Sequence, residues 1–273
     1  MSCTVADVVA VLERRYPPAT AESWDAVGLV VGDRSAPVRR VLLTVDVVDE
    51  VLAEARSLGA ELVVAHHPLL LRGLQSVVVE HPKGRLVVEA VRAQVAVFTA
   101  HTNADVAVDG VSQALADALG LLDCEPLVPA PGSPTTGVGR VGRLPVAVPA
   151  GEWLEQVAAA LPPTVAGVRL AGDPQRAVRR VALVGGAGDS YLDAARAAGV
   201  DAYLTSDLRH HPTSELLQHE GAPVLVDVAH SAAEATWLPV LAGVLRDELG
   251  ADGPEVVVSR VRTDPWTAVA GRG

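Results

Sequence analysis

Two hydrophobic periods alternate along the chain. Behind the acidic capping box Thr4-Val5-Ala6-Asp7, apolar residues at Val8, Val9 and Leu12 have helical spacing, and Tyr16-Pro17-Pro18 ends the helix. Short apolar runs at Arg40 to Asp46, Glu61 to Ala65 and Val95 to Thr99 predict buried strands. Between and after them, Asp49 to Leu58 (stopped by Gly59), Gly84 to Ala93 and Val111 to Leu119 read as helices. The second half repeats the alternation: helix near Glu152 to Leu161, strand Arg179 to Val184, helix Tyr191 to Ala198 and strand Ala202 to Thr205. Helix Pro212 to His219, strand Val224 to Val228, one long helix from Ser231 towards Leu249 and strand Glu255 to Val261 complete it. Such an order implies βαβ units and a mostly parallel sheet, with ligand sites beyond the carboxyl ends of the strands. From Val128 to Pro149 the composition turns to Pro, Gly, Ser and Thr, which marks a boundary between domains at 1–128 and 129–273.

The strand ends carry the chemistry. His66-His67-Pro68 closes one apolar run, and the next runs straight into His101-Thr102-Asn103-Ala104-Asp105. Neighbouring strand residues face opposite ways, so His66 and His67 converge only if the backbone turns, and Pro68 favours a turn. A third strand leads into His230 and Glu234, four apart at a helix start and therefore on one face. Imidazole and carboxylate together suit Zn, Mn, Fe or Ni. The pattern by itself is equally compatible with hydrogen-bonded histidines, and His81 and His219 read that way. His210-His211-Pro212 echoes His66-His67-Pro68, consistent with duplication of an αβ unit; a place for His210 and His211 in a pocket wall stays open.

Two other stretches invite a function. Trp24-Asp25-Ala26-Val27-Gly28 reads as a binding turn or, more commonly for such a pair, as a core Trp beside a turn Asp. Gly185-Gly186-Ala187-Gly188 follows a strand as a phosphate-binding turn would, but Tyr191 stands where the dinucleotide fingerprint needs its third glycine, so a tight structural turn is expected.

Composition narrows the class. Of 273 residues 49% are hydrophobic but only 3% aromatic, so the core is Val, Leu and Ala, as buried parallel strands require. A net charge of −11 disfavours nucleic acid and anionic membranes as partners. Cys3 and Cys124 have no paired spacing, no basic leader precedes the first helix, and no run approaches the ~18 apolar residues of a membrane span. A cytoplasmic protein is the expectation.

Taken together, Trp24-Asp25-Ala26-Val27-Gly28-Leu29, Ala65-His66-His67-Pro68, His101-Thr102-Asn103-Ala104-Asp105, Gly137-Val138-Gly139-Arg140, Tyr203-Leu204-Thr205-Ser206-Asp207, Asp227-Val228-Ala229-His230 with Glu234, and Thr263-Asp264-Pro265 resemble the Nif-three-like dinuclear-metal family, also called GTP cyclohydrolase I type 2 homologs. The resemblance implies an α/β fold of two similar three-layer αβ domains with a dinuclear metal site in the cleft between them, the C-terminal strand packing back on the first, and a homohexamer. It implies two divalent ions per subunit (Zn, Fe or Mn) on His66, His67, Asp105, His230 and Glu234, with Glu234 the bridge, and His101 and Asp227 beside them. The link from Leu127 to Arg140 is too short for an inserted domain. Where the family commonly has Asn, Gly, Gly and an aromatic, this chain has Ala26, Ser206, Ala229 and Ser231, which bears on substrate shape and not on ligands.

The function this implies is a metal-dependent hydrolase of a nucleotide or other small molecule, with Arg140, Arg143 or Arg209 as candidate cations for a phosphate. No catalytic acid or base stands out. The alternative is a non-enzymatic metal-binding, metal-chaperone or scaffold protein that acts through protein partners.

Overall fold

Short apolar runs separated by amphipathic helices form parallel strands here for the expected reason: their side chains are buried on both faces. A computed structural model describes residues 3–271. The chain divides into two compact units, one running up to Ala104 and including Leu238–Thr263, the other comprising Asp105–Trp237 and the segment from Asp264 on. No described helix is long and apolar enough to cross a membrane.

In the first unit α1 (Val5–Arg15) carries both bonds of the Thr4/Asp7 capping box, a device worth about 1 kcal/mol. There follow β1 (Gly28–Val31), β2 (Arg40–Thr44), α2 (Asp49–Leu58), β3 (Leu62–Ala65), α3 (Pro82–Arg92), β4 (Ala96–Thr99) and the short α4 (Thr102–Asp105). Leu42, Val63, Ala65 and Val97 bury against Val51, Leu52 and Ala55 of α2 and Leu86 and Ala90 of α3. Val41, Leu43, Val64 and Phe98, on the alternate positions, are buried too.

The second unit contains α5 (Val111–Ala118), β5 (Leu122–Glu125), the hairpin β6 (Val128–Pro129) and β7 (Gly137–Val138), β8 (Arg140–Pro149), α6 (Ala150–Ala160) and β9 (Arg169–Ala171). It continues through β10 (Ala177–Ala187), α7 (Leu192–Ala197), β11 (Ala202–Ser206), α8 (His210–Leu216), β12 (Val224–Val228) and α9 (His230–Ala235). Alternate residues of its strands face two cores. Val181, Leu183, Leu204 and Val226 pack with Leu115, Trp153 and Ala233, whereas Ala182, Val184, Tyr203 and Leu225 pack with Leu192, Ala195 and Leu216. Helices therefore cover both faces, which makes three layers. Then α10 (Trp237–Leu249) returns the chain to the first unit, where β13 (Glu255–Val258) pairs parallel with β2.

The sheets run β1-β4-β3-β2-β13 and β5-β8-β10-β11-β12-β9. In each, three sequential parallel strands end against an antiparallel edge strand that precedes them in the chain, β1 on β4 and β9 on β12. The units are thus two versions of one αβ design, and the repeat can be read residue by residue. Gly32-Asp33 and Gly172-Asp173 open matching turns: both glycines have φ +118°, Asp33 Oδ1 accepts Ser35 N–H, and Asp173 Oδ1 accepts Gln175 N–H. Val38-Arg39-Arg40-Val41 and Val178-Arg179-Arg180-Val181 follow. Glu61 accepts the backbone N–H groups of Arg39 and Arg40, and Asp201 those of Arg179 and Arg180. In this register His66 and His67 correspond to Ser206 and Asp207. His210 and His211 begin α8 instead, so the His-His-Pro echo is not the signature of the duplication.

The strand expected after Gly137–Arg143 is β8. Two boundaries differ from the sequence expectation. The C-terminal strand β13 stops at Val258 and not at Val261. The long C-terminal helix is broken after Ala235, because Pro239 has no N–H for the Ala235 carbonyl and its ring would clash there.

Glu61 provides a test of this frame. Burial pushes its carboxyl up, but the bonds from Arg39 and Arg40 outweigh that and hold it below the ordinary value of 4.5. A folded-state value below the unfolded one stabilises at neutral pH and is lost as pH falls through the acidic range. Glu61→Gln should cost about 1–2 kcal/mol at pH 7, with the gap to wild type closing between about pH 5 and 3 in urea titrations. A gap independent of pH would show that the charge contributes nothing.

Candidate metal centre

The backbone bends at His66 and His67, immediately after β3, and the two rings come together with centroids 5.1 Å apart. His101, one residue beyond Ala100 at the end of β4, places its ring 5.2 Å from His66 and 5.6 Å from His67. One ligand nitrogen from each of the three lies within 4.8 Å of the others. The first unit therefore gathers three imidazoles at the carboxyl end of its parallel strands, where such sheets place ligand sites.

Each ring is held by one nitrogen. His66 Nδ1 bonds the Ala100 carbonyl at 2.9 Å, His67 Nδ1 bonds Asp46 Oδ1 at 2.7 Å, and His101 Nδ1 bonds Asp25 Oδ1 at 2.8 Å. A carbonyl or carboxylate only accepts, so Nδ1 carries the proton, and in the neutral ring Nε2 then carries the lone pair. That is how metal-ligating histidines are oriented by the residues behind them. Burial first, then the neighbouring His66, pushes the His101 imidazole below its ordinary value, against the pull of Asp25. The neutral form is the one a metal requires.

In the second unit His230 shows the same device. Its Nδ1 bonds Asp207 Oδ2 at 2.6 Å, and its Nε2 lies 2.8 Å from Glu234 Oε1, one helical turn on. A lone-pair nitrogen and a carboxylate oxygen at that distance need a proton or a cation to hold them. Glu234 is buried, at 2% exposure. Asp207 has φ +58°, a left-handed conformation that Asp tolerates better than most residues. Gly186, with φ +74°, passes so close that a Cβ there would sit 2.6 Å from Glu234 Oε1 and 3.1 Å from His230 Nε2. The glycine-rich stretch thus leaves room for the donor pair; it is not the tight turn expected, since β10 runs on to Ala187 through it.

Both donor sets suit a divalent transition metal: imidazole nitrogens with oriented partners, and a buried carboxylate. Of the remaining candidates, Asp105 ends α4 and is partly buried. Asp227 pairs with Arg169 and accepts the Leu208 N–H at 3.0 Å; the carboxylate bonded to His230 is Asp207. His210 and His211 contact each other on α8 with centroids 5.1 Å apart. Asp46 and Asp207, not singled out from the sequence, stand just past parallel strands, the one position that could have drawn attention to them.

The proposed phosphate cations are otherwise engaged. Arg140 is buried at 1% exposure and spends its guanidinium on Gln113 and the carbonyls of Gly137, Gly139 and Ala107. Arg143 pairs with Asp123 and Arg209 with Asp189. Nor is Trp24 a core residue, since it is 59% exposed.

A family model described as Duf34/NIF3 (NGG1p interacting factor 3) matches residues 3–265. The chain belongs to this family. Among Duf34/NIF3 relatives, a Streptomyces coelicolor protein named GTP cyclohydrolase 1 type 2 homolog is 47% identical over 268 residues, covering 97% of this chain and 94% of its own. One of the same name from Mycobacterium tuberculosis is 36% identical and covers 97% of each chain over 372 aligned positions. A span longer than this whole chain means that the mycobacterial protein carries a long additional segment absent here. The crystal structure of a Bacillus cereus protein related to NIF3 superposes with a TM-score of 0.91 at 24% identity, covering 98% of this chain and 100% of its own. A Staphylococcus aureus protein gives 0.89, also at 24% identity, covering 98% and 100%. At that identity the likeness shows the Duf34/NIF3 fold.

Proposed function

We propose that this protein is a metal-dependent hydrolase whose donors, His66, His67, Asp105, His230 and Glu234, serve one dinuclear centre, with Glu234 as the bridging carboxylate and His101 beside them. The observation that carries the reading is the shared anchoring of four imidazoles, each with its Nδ1 fixed by an acceptor, the arrangement that orients Nε2 for a metal. When bound, divalent ions lower the pKa of water towards about 7 and polarise a carbonyl or phosphoryl group. The chain's own part is to orient the imidazoles, through Asp46, Asp25, Asp207 and the Ala100 carbonyl.

The name shared by the curated relatives supports a purine nucleotide or related heterocycle as substrate. Zn, Fe and Mn all suit the donors. A homohexamer belongs to the same reading, and a monomer in sedimentation would reject that part.

Metal analysis after reloading should find two equivalents per chain, with His66→Ala losing at least one. A screen of nucleotides and small heterocycles should find turnover that His66→Ala abolishes. Absence of stoichiometric metal would overturn the whole reading. Metal without turnover would leave a metal-binding or metal-chaperone protein.

A further inference from the structure

Trp24 has more than half its surface in solvent, at 59% exposure, although burial of an indole would be worth about 2 kcal/mol or more. Mobility does not explain the exposure. On one side, Glu22 N–H is bonded to Thr102 Oγ1 at 3.0 Å, and Asp25 N–H closes a turn onto the Glu22 carbonyl. On the other, Asp25 accepts from Ala26 N–H, Thr102 N–H, Thr102 Oγ1 and His101 Nδ1. This one carboxylate thus ties Ala26 on its own segment to His101 and Thr102 beyond β4 and holds both flanks. The indole is therefore presented on a backbone fixed at each side. Its ring meets His101 edge-on, with centroids 6.0 Å apart and planes at 77°, beside the three-imidazole cluster.

An exposed indole held beside the imidazole cluster suits a planar heteroaromatic ring, which stacks on indole without needing a polar partner. We propose that Trp24 is the stacking platform for the substrate's ring and so a specificity-determining residue. This rests on the purine-nucleotide reading given above. Stacking sets affinity for the base and not for the phosphates, and Asp25 links the platform to the orientation of His101.

The test compares equilibrium binding of GTP and of inorganic triphosphate to the metal-loaded protein, its Trp24→Ala variant and its Trp24→Phe variant. Because the side chain is exposed, Trp24→Ala should fold and keep its metal content. GTP should bind about tenfold or more weakly to Trp24→Ala, triphosphate within about twofold of wild type, and Trp24→Phe should restore most of the difference. Equal loss for both probes, unchanged GTP affinity, or failure of metal-loaded wild type to bind GTP would overturn the platform. A change in oligomeric state with GTP affinity intact would also overturn it and assign Trp24 to a subunit contact. If wild type takes up no metal, the hydrolase reading fails, and the Trp24 dependence of GTP binding then reports on the platform separately.

Discussion

Arg140→Met should remove about 3–5 kcal/mol from the stability of the second unit, a large part of the ~5–15 kcal/mol typical of a folded protein. Arg140 Nη1 donates to the carbonyls of Gly137 and Gly139 at 3.0 and 2.7 Å, Nη2 to that of Ala107 at 2.6 Å, and Nε to Gln113 Oε1 at 2.9 Å. Methionine fills the volume but satisfies none of these acceptors. Each one left buried without a donor costs about 1–3 kcal/mol, partly offset if water enters. Arg140→Lys should fall between, since an ammonium cannot reach acceptors arranged for a planar fork. Urea unfolding followed by circular dichroism measures the loss. An Arg140→Met protein as stable as wild type would mean that these carbonyls find other donors.

The second large effect belongs to Gly186. In Gly186→Ala the new methyl would lie 2.6 Å from Glu234 Oε1 and 3.1 Å from His230 Nε2, and a left-handed backbone would have to carry a side chain, at about 1–2 kcal/mol. The donor pair must then move apart. Affinity for Zn or Mn should drop roughly 10–100-fold, as when the support of a ligand is removed, while far-UV circular dichroism stays native. Gly185→Ala is the control: its methyl would meet Val111 Cγ1 at 2.7 Å, so it should lower stability with little effect on metal. Calorimetric titration of both variants separates the two outcomes. Equal metal affinity in Gly186→Ala and wild type would remove Glu234 and His230 from the ligand set.

Much of this was legible in the sequence, because the strands are buried on both faces and interrupted by amphipathic helices. Asp49 to Leu58 with its Gly59 stop and Val224 to Val228 were readable to the residue. Two edge strands were not: β5 is largely exposed and β9 has only three residues, so neither shows an apolar run. Of the candidate site, the imidazoles announced themselves by type and by their place after strands. Their supports did not, since Asp25, Asp46 and Asp207 resemble ordinary turn residues until their partners are known. Arg140 misled for a related reason. A cation in a Gly-rich segment suggests an anion, whereas this one binds the carbonyls of its own loop.

The matched turns at Asp33 and Asp173 and the paired clamps at Glu61 and Asp201 put the two halves in register, and that register exposes a trade of roles. In the proposed centre His67 is a donor, and Asp46 steadies it. Their counterparts are Asp207, which bonds His230 instead, and Gly186, which carries no side chain and leaves room beside Glu234. A chain made of either half twice over would therefore repeat only one of the two arrangements in these places.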